Sequence, residues 1–539
     1  MQESLSYNFN ILHVMHGWGG GLERWVNDFC RFDKRSHNFQ LRSMGVPGVP
    51  GKEIHLSKSS SKNGLQPIKV WKLDKPITST SIYSTEYQII LEEILNSYQI
   101  DFIIISSFIG HSLDLLSFGQ VHKIIVCHDY YPFCPAINIY FDSICSDCKG
   151  SRLKECFGNN TFNRFFPLAN AEEWLLIRRS YLDLVGASHT PLVVPSASAE
   201  RHLKLLAPSL ERSRFFQIPH GFDKQLFLAH SLQSSDSSLN VNHEIHHAQR
   251  PRIVILGSLA LHKGLNLFKE IYQEIIQFAD VYLIGSGSDG EIFSKEKEIY
   301  YLSQYSQEEL PILIKEISPD LALLLSVWPE TFSYTLSELF IMRIPVLAIN
   351  TGSFQDRIID DVNGFLVESS SDKILEKVKS LFAKYPFSEL YRIKNSLRDI
   401  PHRGIGEMID DYYRLIDHLR NESLDSRDPQ SQSLPLEVMP EQAFYYTRSS
   451  DISWLRDSVL LPRQLKIDFD AVSITLSNSN FELSRSTPLA PLGSHTKSRR
   501  IPKRVPLTNR FSLLKSVKSK FPKTWEYWRI TLVKLGFLS

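Results

Sequence analysis

Two carboxylates and one ammonium group stand where they could grip a polyhydroxylated anion. In WPETFSYTLSELFIMRIPVLAINTGSFQDRIIDDVNGFLV (328–367), Glu330 lies in a short loop after the apolar run LALLLSV, and Glu338 follows eight residues later. The residues between them predict a helix that starts near Ser333 and carries Glu338 in its second turn. The first turn of a helix has amide N–H groups with no intrahelical partner, and these bind anions such as a diphosphate. A carboxylate in the preceding loop can accept hydrogen bonds from sugar hydroxyls. One on the helix can take the paired hydroxyls of a ribose. Upstream, RIVILGSLALHKGLNLF (252–268) sets Lys263 where an ammonium would neutralise a departing diphosphate, and Gly264 lets the backbone turn closely there. Each of these residues alone is what a solvated surface carries. Together they suit a sugar nucleotide.

These groups need a frame. RIVILGS, DVYLIGSG, EIYYLSQ, LALLLSV and PVLAIN are short apolar runs separated by helical stretches, which predicts a parallel sheet with helices on both faces over 251–402. A similar alternation runs through 1–228, with strands expected at FNILHVMH (9–16), DFIIISSF, HKIIVCHD and YLDLVGAS, and a helix at LERWVNDFCRF. The polar stretch 229–250 reads as a linker or surface insertion. The segment 403–420 reads as a closing helix, GIGEMIDDYYRLIDHLR, whose stripe Met408, Ile409, Tyr412, Leu415, Ile416 and Leu419 must pack on something. Residues 421–510 read as largely irregular and 511–539 as a basic amphipathic tail.

The first domain supplies a facing wall. HGWGGGLERWVNDF (16–29) holds Gly19, Gly20 and Gly21, whose small size lets phosphate or acceptor groups approach backbone amides. His128 ends the strand in HKIIVCHDYYPFCP (122–135). His111, in FIGHSLDLL, is also polar at a strand end and is expected on the acceptor side or behind the first contacts.

The set resembles glycosyltransferase family 4, the retaining enzymes among the glycosyl transferases group 1, with a GT-B fold of two Rossmann-like domains facing across a cleft. The resemblance is carried by Glu330 and Glu338 with seven residues between, the Ile-Pro-Val strand, Asn-Gly-Phe-Leu-Val, the glycine-rich first loop, VVPSASAERH (193–202) and QIPHGFDKQLF (217–227), over about 10–420. It implies that Glu330 contacts the donor sugar, Glu338 the ribose and Lys263 the diphosphate. It implies that Thr331 belongs to the donor-binding loop and that the amides of Phe332, Ser333, Tyr334 and Thr335 line the sugar and diphosphate. It puts His128 beside the donor sugar and the base near Tyr301–Ser303. Family members usually have Gly at Ser333 and an Arg at Ser258, five residues before the lysine, so one of two phosphate cations is missing here. The expected activity is metal-independent transfer of a sugar from a nucleotide sugar to a glycan or lipid-linked acceptor, with no cofactor. Other GT-B chemistry, an epimerase or a sucrose-type synthase, and a non-catalytic glycan-assembly scaffold are the alternatives.

Three further signals stand outside this set. GSGSDG (285–290), with Glu309 about twenty residues on, matches a dinucleotide fingerprint, but it does not open a first βαβ unit. Asp468 and Asp470 match a metal-binding D-x-D but lie in the irregular region. Cys134, Cys145, Cys148 and Cys156 fall close together, and Cys145-x-x-Cys148 has zinc-knuckle spacing without a second such pair, so a structural zinc and ordinary thiols both stay open.

Composition bounds the rest. The chain has 539 residues, 42% hydrophobic and 22% charged, which excludes a collagen-like, wholly disordered or disulfide-scaffold protein. No run of 18 apolar residues exists, the opening MQESLSYNFN shows no secretory pattern, and six cysteines suit a reducing compartment, so the cytoplasm is expected. Net charge is +1, but twelve Lys/Arg against one Glu give 497–539 a charge of +11 and leave −10 for the remainder. With Trp525, Tyr527, Trp528 and Phe537, this tail suits an anionic membrane surface; a solvated tail, or one docked on the acidic remainder, is the alternative. No recognition fold for nucleic acid accompanies the charge.

Overall fold

The computed structural model describes residues 9–60, 64–232, 250–425, 465–468 and 473–476. The chain divides into two units, Met1–Leu461 and Pro462–Ser539. The first unit holds two α/β lobes, the arrangement called GT-B.

The first lobe is built on an eight-stranded sheet in the spatial order Phe215–Gln217, Leu192–Val194, His122–Val126, Phe102–Ile105, Phe9–His16, Ser36–Val46, Val49–Ser60, Gly64–Ile77. The first six run parallel; the last two fold back antiparallel. The central strand Phe9–His16 is buried from Ile11 onward, as a strand covered on both faces must be. It delivers the chain into the glycine loop, and the helix Gly20–Phe32 follows.

The second lobe is a six-stranded parallel sheet in the order Ile299–Leu302, Asp280–Ile284, Arg252–Leu256, Leu321–Leu324, Val346–Ile349, Phe365–Val367. Numbered along the chain this is 3-2-1-4-5-6, the doubly wound order. Its strand order reverses between Arg252–Leu256 and Leu321–Leu324, which pair parallel, and ligands bind in the crevice beyond the carboxyl ends of such a pair. Ile253 pairs with Leu321 and Val254 with Ala322, so the loops that follow these strands start side by side.

The helix Ile405–Asp425 crosses back to the first lobe. Its stripe of Met408, Ile409, Tyr412, Leu415, Ile416 and Leu419 is buried in one cluster with Ile11, Trp25, Val26 and Phe29. The Tyr413 hydroxyl donates to Asp33 Oδ2 at 2.9 Å. This is the partner that the amphipathic stripe required.

Several expectations need correction. YLDLVGAS (181–188) is not a strand: it ends the helix Ala171–Ser188, whose start is fixed by a capping box between Asn170 and Glu173, and the strand there is Leu192–Val194. The three strands spanning 36–77 carry no strong alternation and were not expected. The closing helix runs five residues past 420, and its last turn enters the region read as irregular. Within the second unit, Leu465–Asp468 pairs antiparallel with Ser473–Leu476, so Asp468 ends a strand. Asp470, residues 233–249 of the insertion and the whole 511–539 tail lie outside the described residues.

Candidate donor site

The strand order brings Lys263 and Glu330 together. Lys263 follows the first strand of the second lobe, and Glu330 follows the fourth. The Lys263 ammonium is ion-paired with Glu330 Oε1. Ser326 Oγ donates to the same oxygen at 2.6 Å, and Trp328 Nε1 at 3.3 Å. Burial works against charge on this carboxylate, but the lysine and the two other donors outweigh it and hold it below its ordinary value. Two glycines allow the packing. Gly264 sits at φ +90°, where an added Cβ would lie 2.3 Å from Leu325 O. Gly352 sits at φ +55°, where a Cβ would lie 2.5 Å from Glu330 N, and the next amide, Ser353 N–H, donates to Glu330 O at 2.7 Å. The Thr-Gly turn therefore braces the glutamate loop from behind.

The helix Tyr334–Ile341 begins where expected, with Ser333 as its cap. Ser333 Oγ accepts from Leu336 N–H at 3.3 Å. Ser333 has φ +69°, a region that costs a residue with a Cβ about 1–2 kcal/mol. Ser333 thus holds a backbone shape that suits glycine and is strained by it, with the cap as partial compensation. Beneath the loop, Arg357 Nη1 donates to Phe332 O at 2.7 Å and Ser333 O at 2.8 Å, and Nη2 donates to Ser337 Oγ at 2.7 Å. Its guanidinium also lies 4.4 Å from the Phe332 ring centroid. Both loop carbonyls are turned inward by this one cation. Sequence reasoning missed it, since Arg357 stands among polar residues in QDRIIDD.

The first lobe meets this surface directly. Arg24 Nη1, from the helix after the glycine loop, donates to Glu338 Oε1 at 2.6 Å. Glu338 is only 4% exposed; burial raises its pKa, and Arg24 pulls the other way. The Arg24 guanidinium lies 4.3 Å from the Tyr334 ring centroid, and His220 stacks on Tyr334 at 5.8 Å. Thr331 Oγ1 donates to His128 O at 2.6 Å. Farther along, Ser198 Oγ donates to Gly352 O at 2.8 Å. The predicted donor loop is therefore pressed between both lobes.

Residues 240–395 match the family model described as Glycosyl transferases group 1. That match takes in the whole six-stranded sheet of the second lobe. The chain is similar in structure to the sucrose-phosphate synthase of Thermosynechococcus elongatus, at 12% identity and TM-score 0.51, over 77% of this chain and 100% of that one. It also matches a glycosyltransferase from Rickettsia africae, at 14% identity and TM-score 0.48, over 77% and 99%. HepE from Anabaena, solved with UDP and glucose, matches at 14% identity and TM-score 0.47, also over 77% and 99%. No curated protein matches.

Of the remaining expected residues, His128 and the three glycines lie on the first-lobe side of the contact between the lobes. His128 Nε2 lies 3.2 Å from Ser106 Oγ, with its ring against Trp25 and His220. Burial pulls its pKa down to about 3, so it is a neutral imidazole at physiological pH. The neighbouring Asp129 is pushed up to about 7 by burial. Gly19, Gly20 and Gly21 open the facing helix, and Gly21 borders Tyr334. His111 does not reach the crevice. It is fully buried, its Nε2–H donates to Met15 O at 2.8 Å, and its Nδ1 accepts from the Tyr87 hydroxyl at 2.8 Å. It pins the end of the strand that leads into the glycine loop.

The four cysteines gather in one region near the helix Gly150–Asn159. Cys134 Sγ accepts from Ile139 N–H, Cys156 Sγ from Asn160 and Cys148 Sγ from Arg178. Among the described residues no three His, Cys, Asp or Glu side chains are disposed to hold a metal ion. Three of the four thiols, those of Cys134, Cys148 and Cys156, thus accept hydrogen bonds from neighbouring donors.

Proposed function

We propose that the chain is a retaining glycosyltransferase that moves a sugar from a nucleotide-sugar donor, without a metal, to a glycan or lipid-linked acceptor in surface polysaccharide assembly. The observation that carries this reading is the pairing of Lys263 with Glu330 at the switch point of the group 1 domain, with Glu338 buried on the adjoining helix. Glu330, kept ionised, can accept hydrogen bonds from donor-sugar hydroxyls, and Glu338 from the ribose. Lys263 and the free amides at Tyr334 and Thr335 would take the charge that develops as the anomeric carbon–phosphate oxygen bond breaks. The acceptor oxygen bonds to the anomeric carbon from the same face, and its proton passes to a phosphate oxygen. Neutral His128 positions the sugar, so no protein base is required. Most of the rate then comes from orientation and lobe closure.

The basic, aromatic composition of 511–539 supports a site of action at the cytoplasmic face of a membrane, where a lipid-linked acceptor would lie. Among the described residues no helix is long and apolar enough to cross a membrane.

A nucleoside-diphosphate release assay over UDP, GDP, dTDP and CDP sugars tests the reading. Glu330→Gln and Lys263→Met should each lower turnover at least tenfold while circular dichroism shows the fold retained. Near-wild-type transfer by both variants would remove the assignment, and donor binding without any release would favour the scaffold.

A further inference from the structure

We infer that Arg24 is the second cation of the donor site, supplied by the first lobe to the diphosphate in place of the arginine that position 258 lacks. The inference rests on the nucleotide-sugar reading above and adds a residue to it.

The second lobe is short of charge on this ligand. Ser258, which stands where the resemblance expects an arginine, offers only a hydroxyl. Its neighbour Gly257 borders the donor helix, since a Cβ there would lie 3.6 Å from Thr335 Oγ1. A cation at 258 would therefore have stood near the helix start. Arg24 reaches the same helix from the opposite wall, one turn into the helix that the glycine loop opens.

Its hydrogen bonding is incomplete. Only Nη1 is engaged, by Glu338 at 2.6 Å. Nε and Nη2 are buried and have no hydrogen-bond partner. Asp28 Oδ2 on its own helix forms an i,i+4 ion pair with Nε at 3.7 Å, but at that length neither atom has a hydrogen-bond partner. The Tyr334 hydroxyl beside them is likewise buried without one. A buried donor left without a hydrogen bond is costly, and two on one guanidinium are not expected of a finished structural strap. The fork of an arginine matches a pair of phosphate oxygens. There is room at the loop as well: a Cβ at Gly19 or Gly20 would meet nothing within 4 Å.

The geometry also explains the pairing with Glu338. Without donor, the guanidinium holds the carboxylate that would take the ribose. When ribose hydroxyls occupy that carboxylate, the guanidinium is released from it and its fork becomes available to the diphosphate. A residue that only strapped the lobes together would serve every ligand equally. One that reads the diphosphate would distinguish a nucleoside from its diphosphate.

Calorimetric titration of the full chain tests this with UDP, GDP, ADP, CDP and dTDP, and with the nucleoside of whichever base binds. Arg24→Gln is expected to weaken the diphosphate at least tenfold and the nucleoside less than twofold. Adding Ser258→Arg to that variant should recover most of the loss. Arg24→Lys, which keeps the charge on Glu338, guards against misfolding and should fall between wild type and Arg24→Gln. Wild-type affinity in Arg24→Gln, or equal loss for nucleoside and diphosphate, would overturn the inference. Should the wild-type chain bind none of the five diphosphates, the nucleotide-sugar reading falls first and the inference falls with it.

Discussion

Removing the Lys263 ammonium should make the stability of the chain depend on pH in a way the wild type does not. In the wild type, Glu330 titrates below its ordinary value of 4.5. Its folded form binds a proton more weakly than the unfolded chain does. The carboxylate therefore contributes stability that is present above that ordinary value and is lost as pH falls below it. In Lys263→Met, burial, the largest influence on Glu330, loses its main opponent. The folded carboxyl then titrates above the ordinary value, and the variant loses stability as pH rises past it. Breaking a fully buried pair costs about 3–5 kcal/mol. Lys263 is 29% exposed and Glu330 13%, and Ser326 and Trp328 still donate to the glutamate, so about 2–3 kcal/mol is expected at pH 7.5.

The assay is urea unfolding of wild type, Lys263→Met, Glu330→Gln and the double variant at pH 4.5 and 7.5, with ΔG from midpoint and slope. The double variant carries neither charge and should recover much of the loss, giving a coupling of about 1.5–3 kcal/mol at pH 7.5 that shrinks in acid. A Lys263→Met penalty equal at the two pH values, or a coupling under about 0.5 kcal/mol, would refute the placement of a buried, lysine-held carboxylate at the switch point.

Two other outcomes follow from the fold and the sequence. Arg357→Met removes three hydrogen bonds from a charged donor, worth about 1.5–3 kcal/mol each. It also relieves a burial cost of about 3 kcal/mol, since burial pulls the guanidinium from 12.5 to about 10. A net loss of about 1.5–6 kcal/mol in urea unfolding is expected, together with weakened nucleoside-diphosphate binding; unchanged affinity would mean the donor loop does not need this brace. The full chain should sediment with anionic phosphatidylglycerol vesicles more than a chain ending at residue 496, and equal partitioning would count against the tail as an anchor.

How legible the site was in the sequence follows from how local its parts are. Glu330, the helix start at Ser333 and Glu338 come from one strand–loop–helix segment, and Lys263 from another. A doubly wound order sets those two loops side by side regardless of side-chain detail, so spacing alone was informative. Arg24 had a local signal as well, in its place one turn after three glycines that open a helix. What spacing could not show is that this turn faces Glu338, because that contact depends on how the lobes close. Arg357 had no such signal. A cation in QDRIIDD reads as solvated, and only the short helix Ser353–Arg357, tucked behind the glutamate loop, turns it inward. His111, expected on the acceptor side or behind the first contacts, lies buried behind the glycine loop's strand, held by Met15 O and the Tyr87 hydroxyl, two partners that its place at a strand end did not reveal.

The misread segment at 181–188 makes the same point about information that was available. Tyr181, Leu182, Leu184 and Val185 fit a helical stripe as well as a short strand. The capping signal at Asn170 and Glu173 was visible eleven residues earlier and decides between them. Missing it displaced one strand of the first sheet by about a dozen residues without disturbing the site. The donor crevice is set by strand order in the second lobe and by the glycine loop in the first, and both were read from residues that do not depend on that strand. The pairing of the Lys263 and Glu330 loops in the second lobe thus follows from strand order alone, whereas the contact of Arg24 with Glu338 emerged only with three-dimensional packing.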